Sequence, residues 1–133
     1  MCEPVSQHAK LKYGDEYYLG YNEKTALLFF LRNIKKLNFD PKTIVIRPHP
    51  TEEFEKYLWV KDYYDGSVEF GGDKDLIEEI MCASVVAGCE SMAMIIGLIA
   101  KKRVISTIPH GGRDCVLPFK SIEIMKEIIS EDD

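Results

Sequence analysis

The sequence is short of the features that would settle its chemistry at once. No apolar run is long enough to cross a bilayer. The longest, "SMAMIIGLIA" at 91–100, falls short of the roughly 18 residues that a spanning helix needs. Met1 is not followed by a basic and then an apolar leader region, so a cytoplasmic protein with no transmembrane segment is expected. Only four cysteines occur, Cys2, Cys82, Cys89 and Cys115, with no CxxC pair and no histidine at zinc-finger spacing. Reduced structural thiols are expected, with neither a disulfide framework nor a metal set. Neither GxGxxG nor GxxxxGK[ST] is present, which removes the dinucleotide fingerprint and the Walker loop. There is no GxSxG elbow, and Ser91 has no sequence-identified base, so nucleophilic catalysis is not indicated. An excess of basic charge is missing too: 17 Lys+Arg stand against 22 Asp+Glu, a net charge of -5. A surface of that sign argues against nonspecific duplex binding, and no nucleic-acid partner is expected. A small anion at a local basic spot is compatible with that balance.

What is present is one ordered domain. The 133 residues, 46% hydrophobic and 29% charged, suffice for a single core and for little more. Strand and helix patterns alternate. From Asn22, a capping residue, the apolar positions Leu27, Phe30, Leu31, Ile34 and Leu37 recur at helical spacing. "TIVIR" at 43–47 reads as a strand buried on both faces. Thr51 is placed to cap a second helix carrying Phe54, Tyr57 and Leu58 inward, and "SVEF" at 67–70 is a short strand. A third helix from Asp73 carries Leu76, Ile77 and Ile80, and "SVVAG" at 84–88 is a third buried strand. Residues 90–102 form a helix apolar on most sides, and so expected to be sandwiched, "RVIST" at 103–107 a fourth strand, and 119–129 a closing amphipathic helix. Strands separated by helices imply right-handed βαβ units and a mainly parallel sheet covered on both faces. The fold class is α/β, a single Rossmann-like three-layer α/β/α domain spanning 1–133.

In such sheets ligands bind beyond the carboxyl ends of the strands. At the first such end Arg47 can fork to a phosphate or carboxylate, His49 can donate a ring N–H, and Thr51 begins a helix whose N–H groups favour an anion. A bland alternative is an Arg47 salt bridge and a hydrogen-bonded His49. At the second, "GCES", Gly88 permits close approach and Ser91 with the following helix start makes another anion seat. Glu90 could accept from ribose hydroxyls. A capping serine and a solvated first-turn glutamate would look the same. The loop "PHGGRD" offers His110 and Arg113, as contacts of a mobile loop or as an ordinary surface turn. Tyr13, Tyr17, Tyr18 and Tyr21 could stack on a base, although packing at the core edge is the commoner role.

"EPVSQH", "YGDEYYLGYNE", "IVIRPHPTEE", "DLIEEIMCASVVAGCESMAMIIGLIAKKRVIS" and "LPFKSI", in that order, resemble the carboxyl-terminal half of a GT-B-type glycosyltransferase. They are most similar to bacterial surface-polysaccharide enzymes of the sialyltransferase and polysialyltransferase kind, with their HP motif and later small-residue/serine motif. The resemblance implies two Rossmann-like domains, of which this chain would be the nucleotide-sugar side. His49, as the catalytic residue, would contact the phosphate of the leaving nucleotide; Ser91 would seat the same phosphate and Glu90 would lie near the ribose. The substrate would be a nucleotide sugar, CMP-linked if the sialyltransferase likeness extends to the donor, with no further cofactor. In the resembled enzymes the amino-terminal acceptor domain supplies the general base. A separate partner domain or a homo-oligomer is therefore expected, and the isolated chain is expected to be inactive. The other classes left open are a non-catalytic flavodoxin-like binding or regulatory module with a vestigial phosphate site, and a nucleotide-sugar epimerase-like fragment.

Overall fold

The computed structural model of the chain describes residue 12 and residues 21–37, 41–89, 91–112, 115 and 117–129. Tyr13, Tyr17, Tyr18, Glu90 and Arg113 lie outside the described residues.

Helix α1 (Glu23–Asn33) starts where the sequence predicts, through a capping box. Asn22 Oδ1 accepts from the Thr25 N–H at 2.9 Å, and Thr25 Oγ1 accepts from the Asn22 N–H at 2.9 Å. One 3-10 turn (Ile34–Leu37) extends it. Then follow β1 (Thr43–Ile46), a 3-10 turn (Phe54–Tyr57), α2 (Trp59–Tyr63), β2 (Ser67–Phe70), α3 (Leu76–Cys82) and β3 (Val85–Gly88). The chain continues through α4 (Met92–Ile99), β4 (Arg103–Ser106), β5 (Glu123–Ile124) and α5 (Met125–Ile128). Every strand pairing among the described residues is parallel, which makes the fold α/β. β1 pairs with β2, and β3, β4 and β5 form a separate sheet in that order.

One apolar cluster joins the two sheets. Phe30, Leu31, Ile34 and Leu37 of the first helical stretch pack with Ile46, Tyr57, Val60, Ile105, Met125 and Ile129, and Val85 and Ala87 border them. A second cluster holds α3 and α4 against the other face of β3 and β4 through Ile80, Ala93, Met94, Val86 and Val104. Alternate residues of β3 thus face opposite helical layers, as a strand's period of two requires.

Several expectations are corrected. The single sheet is divided, with β1 and β2 apart from β3, β4 and β5. Of Phe54, Tyr57 and Leu58 only Tyr57 is buried, the other two being exposed. The fourth helix spans Met92–Ile99 rather than 90–102 and leaves Met92 and Ile99 exposed instead of sandwiched. β1 is not buried on both faces: Thr43 and Val45 are exposed. Their register partners in β2 are Ser67 and Glu69, so this side of the pair is polar and left to water. A β-branched run reads alike in either setting. The helix expected from Thr51 is replaced by the 3-10 turn and five-residue α2, because Thr51 and Glu52 spend their side chains on other partners. The closing helix shrinks to α5, since Glu123 and Ile124 extend the sheet and the Arg103 guanidinium grips Glu123 through two bonds of 2.6 and 2.9 Å. Ile77 points outward; in a helix of seven residues, Leu76 and Ile80 suffice for the inner face.

Candidate functional site

Helix α3 ties the two sheets to a common orientation. At its amino-terminal end Arg47, just beyond β1, donates from Nη1 to the Lys74 carbonyl and to Glu79 Oε1, both at 2.9 Å. Gly72, just beyond β2, donates its N–H to the same Glu79 oxygen at 2.6 Å. At the other end Lys102, just before β4, donates to the Met81 carbonyl at 3.2 Å. The carboxyl ends of β1 and β2 therefore lie at one end of α3 and the amino end of β4 at the other. All the strands point toward one rim.

On that rim the "RPHP" stretch makes a compact turn. The Glu52 N–H donates to the His49 carbonyl at 2.8 Å, and Glu52 Oε1 accepts from the His49 N–H at 3.0 Å. The Thr51 N–H donates to His49 Nδ1 at 3.2 Å, with Thr51 Oγ1 2.8 Å from the same nitrogen. A ring nitrogen that accepts a backbone N–H carries no hydrogen of its own, so the imidazole proton sits on Nε2. Thr51 is thus bound to the histidine and caps no helix. Arg47 has taken the bland course of a salt bridge to Glu79.

The His49 turn leans on the first turn of α1. Glu52 is fully buried at its side chain, and its Oε2 accepts from Tyr57 Oη and from Lys56 Nζ, each at 2.6 Å. Lys56 also donates to the buried Glu23 at 2.5 Å. Burial pulls the Lys56 pKa down, but the hydrogen bonds to Glu23 and Glu52 outweigh it and leave the ammonium above its ordinary 10.5.

The second turn reaches the same helix start through Cys89. Cys89, directly after β3, packs with Tyr21, Ala26 and Ile108 in a small buried cluster. Its carbonyl accepts from Ser106 Oγ at 2.8 Å, and the Gly88 carbonyl accepts from the Thr107 N–H at 2.8 Å. Gly88 itself is buried. The first turn of α1 is therefore the shared neighbour of the His49 and Ser91 turns. Ser91 precedes α4 in an extended conformation but does not cap it through its side chain. Its Oγ is buried and lacks a hydrogen-bond partner among the described residues. A buried hydroxyl without a partner is costly, by about 1–3 kcal/mol.

The third loop is tied down. His110 Nε2 lies 2.6 Å from the Ile129 carbonyl and so carries the donated hydrogen, while its ring meets Phe29 edge-on at 5.5 Å. Lys126 Nζ donates to the Gly112 carbonyl at 3.0 Å. His110 serves to dock the end of α5 on α1.

The roles of Glu23, Glu52, Lys56 and Glu79 in the charge network escaped the sequence reading. Glu52 and Lys56 stand four apart, a usable helical signal. Glu79 is 32 positions from Arg47, and nothing local announces that pair. Among the described residues no group of three or more His, Cys, Asp or Glu could hold a metal ion, and no helix is long and apolar enough to cross a membrane. Cys82, Cys89 and Cys115 carry thiols, not disulfides. No family model, curated protein or solved structure matches the chain.

Proposed function

We propose that the chain is the nucleotide-sugar side of a glycosyltransferase, a Rossmann-like three-layer domain of GT-B type that acts on a surface polysaccharide with a separate acceptor domain. The observation that carries this reading is the convergence of the His49 and Ser91 turns on the first turn of α1. On this reading His49, the buried Ser91 hydroxyl and the N–H groups opening α4 would together receive a nucleotide phosphate. In glycosyl transfer the departing nucleotide gains negative charge as the sugar becomes oxocarbenium-like, so preorganised donors at its phosphate act selectively on the transition state. Glu90 would meet the ribose. Arg113, from its own loop, would meet the diphosphate or the sugar acid.

The test is calorimetric titration and thermal shift with CMP, CDP, UMP and UDP on the wild type, His49→Ala and Ser91→Ala. One nucleotide should raise the melting temperature, and each substitution should remove most of the rise. A second reading, a binding module with a vestigial phosphate site, draws on the engagement of Arg47 with Glu79. Silence toward all four nucleotides would favour it.

A further inference from the structure

The outer surface of α3 and α4 is apolar where a solvent-facing helical layer is ordinarily polar. Ile77 and Met81, one turn apart on α3, are 62% and 57% exposed. Met92 and Ile99, two turns apart on α4, are 66% and 77% exposed, with Ile95 half-buried between them. The inner faces of both helices are spent on the cluster around Ile80, Ala93 and Met94. The helices lie side by side. α4 joins the parallel β3 and β4 and so runs from the carboxyl rim toward the amino edge, and α3 runs the same way, with Arg47 bonded before its start and Lys102 at its end.

The charges at the two ends of this surface differ in sign. At the start of α3 the exposed Asp73, Asp75 and Glu78 outnumber Lys74. At the end of α4 stand the exposed Lys101 and the half-buried Lys102. A surface with an apolar middle, an acidic end and a basic end is complementary to itself turned through a two-fold axis. The stripes then cover each other and each Lys101 meets the acidic end of the other copy. Closed two-fold pairing is also the commonest way for a chain to bury such a patch.

We infer that the α3–α4 face is the interface of a homodimer, with a second copy of this chain packed antiparallel upon it. The inference does not rest on the proposed function. Its test is sedimentation equilibrium of the full chain over a concentration series, with thermal melting by circular dichroism to confirm that each variant folds. Wild type should dimerise reversibly. Ile99→Asp and Lys101→Glu should each raise the dimer Kd by about tenfold or more, and Glu78→Lys combined with Lys101→Glu should restore most of the loss. Because Ile99 is exposed, Ile99→Asp should leave the monomer's melting unchanged. A monomer throughout the series would overturn the inference. So would a dimer indifferent to both Ile99→Asp and Met81→Asp, or a patch that binds only some other protein.

Discussion

The ammonium of Lys56 donates to the carboxylate of Glu23 across 2.5 Å, joining residues 33 positions apart. Through that bond and the one to Glu52, the turn holding His49 is moored to the start of α1. The candidate site is therefore organised by a charge network that is not itself aimed at a ligand.

Replacing Lys56 by methionine should leave Glu23 and Glu52 buried without their cation. Breaking a buried pair costs about 3–5 kcal/mol, and the partial exposure of Lys56 puts the expected loss near the lower figure. Urea unfolding at neutral pH measures it. Because the folded pKa of Lys56 lies above the unfolded value of 10.5, its contribution is complete below that value and disappears as pH rises through the folded pKa. The alkaline fall in the wild-type urea midpoint should be shallower in Lys56→Met.

The Arg103–Glu123 pair works at the opposite end of the pH scale. The hydrogen bond from Arg103 outweighs the opposing effect of burial and holds Glu123 below its ordinary 4.5. Its stabilisation is thus present above that pH and is lost as pH falls through the folded pKa. Both side chains are about one-third exposed, so the pair is worth under about 1 kcal/mol. In Glu123→Gln the acid limb of the stability curve should flatten, and amide exchange at Ile124, where β5 meets β4, should quicken.

Lys101 closes α4 in a left-handed conformation, with φ of 60°. The Lys102 N–H donates to the Gly97 carbonyl at 2.9 Å and the Lys101 N–H to the Leu98 carbonyl at 3.0 Å, the Schellman pattern that usually carries glycine. Lys101→Gly should stabilise the monomer by about 1 kcal/mol. Denaturant titration of dilute protein should show the gain, and an unchanged or lower midpoint would remove this account of the helix end.

Gly112 is where the third loop touches the core. A Cβ there would come within 2.6 Å of Ile108 Cγ2 and 2.9 Å of Tyr21 Cδ1. Both neighbours are buried, so neither side chain has room to move. Gly112→Ala should cost about 1–3 kcal/mol by overpacking, read as a lower melting temperature.

Much of the chain's local order was written in its residues. Asn22 announced the start of α1, β-branched runs announced the strands, and alternating strand and helix announced parallel pairing. These signals depend on neighbours within a few positions, and so they survive in one dimension. Where the strands end, and hence where Arg47, His49, Gly88 and Ser91 stand, could be read for the same reason. The partners chosen by those residues could not. Arg47 turned to Glu79 and Thr51 to His49, and one face of β1 stayed in water, because each outcome depends on which distant segment arrives alongside. Burial raises the value of a charge partner far above that of an exposed one, and only the packed chain decides which groups are buried together.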